Sequence, residues 1–353
     1  MKLPESRLTS VDIAMRLFRR VGGQPPSPTV PVWDAPIRLF HWLLLVTVAF
    51  AAFTGFISGL QWLGPHLIAG IAVACLVGLR LVWGVFGSGH ARFGDFAYPP
   101  RAVIRHVGDL LAARVHRHLG HNPLGAMMVF ALLAILSATV ITGAIALGGM
   151  FKQGPLAAFT SFAIGSLLLS VHQAFAIVLL VLIGAHGVGV AFESWRGQEN
   201  LTAAMITGRK RPVPDAAERN MRPVRPLLAA ASVLVLGGGA TAGVIRLAAK
   251  PVHGLPPPTL DPTYDGDCGS CHFVYSPSLN SSAIWNEILD HLDHHFGEDA
   301  SLPPAEVAQL RAYLDTNAAQ HWDTLAANEF RVRDPANPLR ITATPYWRQM
   351  HAG

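Results

Sequence analysis

The run FAIGSLLLSVHQAFAIVLLVLIGAHGVGVAF, from Phe162 to Phe192, is apolar apart from two histidines and a few small polar residues. It exceeds the roughly 20 residues that a helix needs to cross a bilayer. His172 and His186 are 14 positions apart, and fourteen helical steps of about 100° end about 40° short of four full turns. Both rings therefore lie on one helix face, about 21 Å apart along the axis, with one near each side of a membrane.

Four more apolar runs are long enough to cross a bilayer. They extend from about Phe40 to Leu60, His66 to Phe86, Leu124 to Leu147 and Leu227 to Leu247. The 353 residues are 51% hydrophobic and 14% charged, whereas a soluble domain carries about 25% charged residues. We therefore predict an all-α membrane protein with five spans. The stretch from Gly154 to Gly165 suits either a loop or a re-entrant turn.

Basic residues are concentrated in alternate loops, which predicts the orientation of the spans. The loop between the first two runs has no Lys or Arg, and the loop between the third and fourth has only Lys152. The positive-inside rule places the N-terminus and the basic loops in the cytoplasm, so residues after about Lys250 lie on the opposite side. This distribution accounts for the net charge of +5 and argues against nucleic-acid binding. The first 30 residues lack the pattern of a signal peptide, so we expect export to depend on the spans.

Four histidines lie within the apolar runs, where ionisable side chains are costly and usually functional. His41 and His66 stand near the starts of the first two runs. With the predicted helix directions, His41 is level with His186 on the cytoplasmic side, and His66 is level with His172 on the other side. This arrangement predicts two bis-histidine haem b sites. The structural alternative is four histidines that form hydrogen bonds across helices, while the separation of the pairs disfavours one metal-transport or proton-relay cluster.

Two arginines lie near the predicted cytoplasmic haem. Arg38 precedes His41, and Arg80 follows His66 by 14 residues, which places Arg80 on the histidine face at the cytoplasmic end. A guanidinium can bind a haem propionate through two hydrogen bonds. An ordinary anchor on the positively charged side of the membrane is the alternative, and the sequence does not decide between them.

The motif Cys268-Gly269-Ser270-Cys271-His272 has the spacing of a c-type haem attachment site. Each thiol adds across one haem vinyl group, and the adjacent imidazole binds the iron. A zinc site needs further ligands at metal spacing, and a thioredoxin-like site needs a surrounding βαβ pattern. Neither is visible in this segment. We therefore expect one covalently bound haem c.

The sixth ligand of this haem is not fixed by the motif. We predict a helix from Ser281 or Ser282 to His295 and another from Pro303 to Ala319. The first helix can present only some of its histidines to one haem, and a His–His pair gives a lower potential than a His–Met pair. The candidate ligands are His291, His294, His295, His321, Met350 and His351.

The membrane region resembles the bacterial cytochrome b561 family, which includes the b-type subunits of nickel–iron hydrogenases. The resemblance covers about Pro31 to Gly208. It is carried by Val32-Trp33-Asp34-Ala35-Pro36, Arg38, His41-Trp42, Arg80 to Gly84, Arg92 to Phe96, Gly120 to Gly125, and the histidine pair of the fourth run. It implies that His41, His66, His172 and His186 bind haem b iron, in the pairs His41–His186 and His66–His172. His121 matches a family motif and is not among the ligands.

The C-terminal region resembles the bacterial dihaem cytochrome c family. The matching residues are Cys268 to His272, Tyr275-Ser276-Pro277, Trp285, His295 to Leu302, Arg340 to Thr342, and His351. That family has a second CxxCH, and this sequence reaches Gly353 without one. The resemblance therefore implies one haem c here, and it favours His295 as the sixth ligand.

These observations predict the following organisation: a cytoplasmic segment 1–30, a cytochrome b561-like membrane domain 31–210, a basic loop with the fifth span 211–249, a Pro-rich linker 250–262, and a mainly helical periplasmic cytochrome c domain 263–353. We expect a bacterial inner-membrane protein that transfers electrons between the quinone pool and a periplasmic cytochrome or redox enzyme. Whether it acts as a quinol or quinone oxidoreductase, and whether it forms a homodimer, stays open. The alternatives are a haem-bearing anchor for a periplasmic dehydrogenase or hydrogenase, and a haem-based redox sensor.

Overall fold

The structure is a computed structural model that describes residues 29–112, 114, 117–213 and 224–351. Nearly all of the predicted N-terminal segment, and the middle of the second basic loop, lie outside the described residues. The regular secondary structure of the described residues is helical apart from a two-stranded antiparallel ladder, which pairs β1 (Val30–Pro31) with β2 (Arg209–Lys210). This confirms the predicted all-α class.

Five helices are long and apolar enough to cross a membrane. They are α1 (Ala35–Phe56), α2 (Leu63–Phe86), α5 (Pro123–Met150), α6 (Phe162–Gly197) and α8 (Pro226–Ala248). Three shorter helices lie between them, namely α3 (Phe93–Phe96), α4 (Pro100–Leu111) and α7 (Leu201–Thr207). The five match the five predicted runs. The protein is therefore a membrane protein, and the residues between α5 and α6 form a turn.

The first helix begins five residues before its predicted start, because polar residues cap it. Asp34 precedes α1, its side chain accepts a hydrogen bond from the backbone N of Ile37 at 2.9 Å, and Pro36 lies in the first turn. A carboxylate at this position satisfies an N–H that has no partner within the helix. The other carboxylate oxygen of Asp34 accepts from Trp83 Nε1 at 2.9 Å, so the start of α1 is joined to the end of α2.

The described residues of Met1–Leu136 and Val178–Leu234 form one compact unit. In this unit α1 and α2 pack against each other. The backbone N atoms of Val32 and Trp33 both donate to Gly208 O, at 2.8 and 3.1 Å. Gly208 has a positive φ of 78°, and a Cβ there would lie 2.5 Å from Trp33 O, so the close approach requires glycine. Cys75 is exposed on α2.

The second unit contains Ser137–Ile177 and Val235–Gly353. The part of this unit that follows the linker 250–262 is called the soluble part below. Among its described residues and the end of the linker are five α-helices, namely α9 (Pro262–Cys268), α10 (Ser282–Asp290), α11 (Pro304–Asn317), α12 (Leu325–Glu329) and α13 (Pro345–Met350). The core formed by α9, α10 and α11 contains Tyr264, Trp285, Leu289, Leu310, Leu314 and Ala318. The two large polar rings of this core are satisfied, because Trp285 Nε1 donates to Pro277 O at 2.8 Å and Tyr264 OH donates to Tyr275 O at 2.7 Å.

One predicted boundary is wrong. The sequence predicts that the helix starting at Ser281 or Ser282 continues to His295, but α10 ends at Asp290 and a short 3₁₀ turn, Leu292–His294, follows. The chain then turns through Phe296 and Gly297, which have positive φ values of 53° and 109°. Such values cannot continue a right-handed helix. The histidines of this segment therefore do not share one helical face.

Replacing Leu310 with Ala tests the core of the soluble part. Leu310 is fully buried, with 0% exposure, and we expect Leu310→Ala to lower the free energy of unfolding by about 2–5 kcal/mol through lost burial and a cavity. Denaturant unfolding of the detergent-solubilised chain, followed by tryptophan fluorescence, measures the change. The control Leu255→Ala removes a side chain that is 44% exposed and should cost less than about 0.5 kcal/mol. Equal effects of the two substitutions would contradict the assigned core.

Candidate haem-binding sites

His41 and His186 approach each other between α1 and α6. Their ring centroids are 6.4 Å apart and their planes are inclined by 54°. Two imidazoles that bind opposite sides of one metal, with nitrogens about 2 Å from the metal and about 1.2 Å from the ring centres, have centroids about 6.4 Å apart. His41 Nδ1 is buried and has no hydrogen-bond partner in the described protein. The pair thus has the spacing of two axial ligands.

The Nδ1 atoms of His66 and His172 each lie within hydrogen-bond distance of oxygen atoms on the helix that precedes their own. His66 Nδ1 lies 3.1 Å from Ala51 O and 3.2 Å from Thr54 Oγ1, and His172 Nδ1 lies 2.9 Å from Thr139 O. If Nδ1 carries the proton and donates to the carbonyl, Nε2 is the unprotonated nitrogen that can bind a metal. The two histidines belong to different units of the structure, so their pairing stays a prediction.

Two glycines allow these rings to pack closely, and the sequence reasoning missed both. A Cβ at Gly55 would lie 3.1 Å from His66 Cε1, and a Cβ at Gly143 would lie 3.0 Å from both Cε1 and Nδ1 of His172. Each glycine follows a threonine whose hydroxyl donates to its own helix, at Phe50 O (2.9 Å) and Ala138 O (2.8 Å). The repeated Thr-Gly step, in two separate spans, was the available signal.

Arg38, Arg80 and His121 bring buried side-chain nitrogen atoms into the unit that holds His41 and His186. Arg80 is 4% exposed, and its guanidinium lies over the Phe93 ring, 4.6 Å from the centroid. Three buried donor atoms here have no partner in the described protein, namely Arg38 Nε, Arg80 Nη1 and His121 Nδ1. Buried donors are rarely left unpaired in native proteins. An anion with several oxygens, such as a haem propionate, would satisfy them.

His121 lies in the loop before α5, between the rings of Trp33 (centroids 4.8 Å apart) and Phe96 (4.4 Å). Burial, and then the nearby charges of Arg80 and Lys210, lower the pKa of His121 to about 3. His121 is therefore neutral at physiological pH. It can offer a hydrogen bond to an anion without adding another buried charge.

The CxxCH motif begins at the end of α9, where Cys268 is the last helical residue. Burial, and then the neighbouring Asp267, raises the pKa of the Cys268 thiol to about 11, so the thiol is protonated at neutral pH. His272 Nδ1 lies 2.7 Å from Phe273 O, which leaves Nε2 available to a metal. The described residues contain no group of three or more His, Cys, Asp or Glu side chains arranged to hold a metal ion.

Of the candidate sixth ligands, the structure brings His295 to His272. Their ring centroids are 6.2 Å apart and their planes are inclined by only 16°, again the spacing of two imidazoles on one metal. The pKa of His295 is lowered by burial and by His272, which favours the neutral form of the His295 ring that can bind a metal. The turn through Gly297 holds His295, since Glu298 N donates to His295 O at 3.2 Å.

The other candidates have different surroundings. His291 Nε2 lies 3.4 Å from Glu287 and His294 Nε2 lies 3.7 Å from Asp293, and both histidine side chains are exposed. His351 stacks on Trp347 with centroids 4.0 Å apart. His321 and Met350 are exposed as well.

Residues 32–208 match the family model described as prokaryotic cytochrome b561. The chain belongs to this family. Its C-terminal region, residues 264–353, matches the family model described as dihaem cytochrome c. The resemblances inferred from the sequence are therefore confirmed. The protein is a membrane cytochrome of electron transport, built from a b-type and a c-type region.

Two curated relatives of the cytochrome b561 region are each named a probable Ni/Fe-hydrogenase B-type cytochrome subunit. The one from Cupriavidus necator is 28% identical over 146 residues, which cover 35% of this chain and 59% of the relative. The one from Rhizobium leguminosarum bv. viciae is 22% identical over 220 residues, which cover 52% of this chain and 89% of the relative. The chain thus spans less than two thirds of the first relative and most of the second.

Two solved structures resemble the C-terminal region, and both are of dihaem cytochrome c from Rhodobacter sphaeroides. They are 34% and 35% identical to this chain, cover 27% and 28% of it, and are themselves covered to 72% and 77%. The TM-scores are 0.21 and 0.25.

Substituting Gly143 tests whether this glycine positions the His172 ring, a predicted haem b ligand. A larger side chain there meets the His172 ring, so Gly143→Val should displace that imidazole and reduce the haem b content of the purified protein by about half. Gly78→Val is the matched control, because a Cβ at Gly78 meets no atom within 4 Å. The α-band amplitude of the reduced protein measures the loss. Unchanged haem b in Gly143→Val would refute the role of this glycine.

Proposed function

We propose that this protein is a transmembrane electron conduit that carries two haem b groups and one haem c, and passes electrons between membrane quinone and a redox partner on the other side. The observation that carries the proposal is the recurrence of one spacing. His41–His186 and His272–His295, in separate units of the chain, are 6.4 and 6.2 Å apart between ring centroids, which suits two axial ligands on one iron.

For the haem b groups, we propose His41 with His186 as one ligand pair and His66 with His172 as the other. The first pair is supported by its spacing and by the unpaired donors of Arg38, Arg80 and His121 nearby, which fit the propionates of a haem. The second pair is supported by the Nδ1 contacts of both histidines with backbone carbonyls and by their predicted equal depth in the bilayer. Each haem supplies an iron that accepts and releases one electron.

For haem c, we propose covalent attachment through Cys268 and Cys271, with His272 as the proximal ligand and His295 as the distal ligand. In the attachment, each thiol S–H adds across one vinyl C=C, so that sulfur and hydrogen end on the former vinyl carbons. The sequence contains a single CxxCH, so the proposal assigns one haem to this region.

We propose a bacterial inner-membrane location, with the basic loops in the cytoplasm and the segment after Lys250 in the periplasm. The organisation follows the boundaries given above, with the membrane domain 31–210 and the cytochrome c domain 263–353. This orientation puts His66, His172 and the haem c region toward the same side of the membrane. The periplasmic partner would be a soluble cytochrome or a redox enzyme.

The names of the curated relatives support a second candidate function. Both relatives are named as B-type cytochrome subunits of a Ni/Fe-hydrogenase, so this chain is a candidate anchor and electron acceptor for a periplasmic hydrogenase or dehydrogenase. Co-purification of a larger redox enzyme would favour this function. A haem-based sensor would instead require a five-coordinate haem with high-spin spectra.

A pyridine haemochrome assay on the purified chain tests the haem assignment, with an expected ratio of two haem b to one haem c. His172→Ala and His186→Ala should each remove one haem b, because each deletes an axial ligand of a different iron, and should leave haem c in place. His253→Ala, at an exposed histidine outside both regions, is the control. Retention of both haem b groups in either ligand variant would refute the assignment.

Substituting His295 tests the distal ligand of haem c. His295→Ala should keep the haem covalently attached, since the thioether bonds remain, but should convert it from a low-spin to a high-spin spectrum. Electronic spectra of the reduced protein, with imidazole added to restore the low-spin form, provide the measurement. His294→Ala is the neighbouring control, because that side chain is 86% exposed. A high-spin conversion in the control instead would show that the ligand is misassigned.

A further inference from the structure

The turn between α5 and α6 binds a carboxylate from the soluble part of the same unit. Lys152 Nζ lies 2.6 Å from Asp323 Oδ2, and the same oxygen accepts a hydrogen bond from the backbone N of Phe162 at 2.9 Å. Phe162 is the first residue of α6, where backbone N–H groups lack helical partners and favour a negative charge. One carboxylate therefore satisfies both an ammonium group and a helix start.

The Lys152 side chain is only 5% exposed. Its Nζ also donates to Thr160 O at 3.0 Å, within the same turn. An exposed ion pair contributes little to stability, but a buried ammonium that loses its partner is costly. The Asp323 side chain is 38% exposed, so the ammonium is the buried partner of this pair and the one for which loss of the contact is costly.

The turn itself is rigidly constructed. The helices on either side meet at two glycines, since a Cβ at Gly149 would lie 2.6 Å from Gly165 Cα. Small residues at such a crossing let two membrane helices approach through their backbones. Lys152 and Gly154 have positive φ values of 53° and 77°, which closes the chain tightly after α5. The turn therefore presents Lys152 and the Phe162 N–H in a fixed arrangement.

The linker before the soluble part is attached at the same residue. The backbone N of Asp323 donates to Gly254 O at 2.8 Å, and a Cβ at Gly254, whose φ is 75°, would lie 2.8 Å from Asp323 Cβ. Gly254 lies near the start of the Pro-rich stretch 250–262. The turn, the linker and the soluble part thus meet at Asp323. The linker is therefore bound to the soluble part at Gly254, six residues after the end of α8 at Ala248.

We propose that Asp323 is a docking residue that fastens the cytochrome c region onto the α5–α6 turn, so that haem b and haem c exchange electrons in one fixed arrangement instead of through a swinging domain. His172 is ten residues along α6 from Phe162, about 15 Å along the helix axis. The docking itself is independent of the proposed function. The part of the proposal that concerns electron exchange between haem b and haem c rests on the proposed function.

Hydrogen exchange of the full-length protein in detergent, read by mass spectrometry, tests the docking. Asp323→Ala should speed amide exchange in segments 151–165 and 250–262 by about tenfold or more, because both lose their common contact. Lys152→Met, which removes only the ammonium, should change the same segments in the same direction. Asp334→Ala, which breaks an ion pair with Arg348 at 2.9 Å elsewhere in the soluble part, should leave both segments unchanged.

Unchanged exchange in Asp323→Ala would overturn the docking proposal, and so would equal loosening in Asp334→Ala, which would indicate general destabilisation. Haem content is measured on the same samples. A failure of the haem ratio with a preserved exchange contrast would count against the proposed function alone. In protein that carries its haems, the rate at which haem b reduces haem c should fall in Asp323→Ala and not in Asp334→Ala. Equal rates in the unsubstituted protein and both variants would refute the fixed arrangement.

Discussion

Two imidazoles can bind opposite sides of one iron only when their ring centres are about 6.4 Å apart, and the two histidine pairs that the structure brings together have ring centroids 6.4 and 6.2 Å apart. In the membrane region, it requires α1 and α6 to place His41 and His186 at the same depth. In the soluble region, it requires the CxxCH motif at the end of α9 and the turn after α10 to face each other.

The remaining atoms of each ring and haem also need partners in an apolar environment. The structure provides backbone carbonyls for Nδ1 of His66, His172 and His272. At the His41–His186 end, it instead leaves buried donors unpaired on Arg38, Arg80 and His121. The different solutions fit different demands, since carbonyls orient a ligand and cationic donors suit an acidic group of a cofactor.

Much of this architecture could be predicted from the sequence, because its signals are local. Hydropathy predicted all five spans, and helical periodicity placed His172 and His186 on one face. The CxxCH spacing predicted Cys268, Cys271 and His272 as one half of the candidate haem c site. The end of α10 was missed, because the helix gives way to a short 3₁₀ turn, Leu292–His294, that the apolar spacing of the segment does not reveal. The choice of His295 among six candidates needed a three-dimensional turn or a family resemblance, and the contact of Asp323 with Lys152 joins residues 171 positions apart, beyond any periodic pattern.

The glycines beside His66 and His172 have a consequence for how the membrane region is put together. Each of these histidines is oriented by the helix just before its own, His66 by Thr54 and Gly55 of α1 and His172 by Thr139 and Gly143 of α5. Two consecutive spans joined by a short turn are therefore enough to fix one ring. As the chain enters the bilayer span by span, each helical hairpin can therefore orient its own histidine without a contribution from the other hairpin.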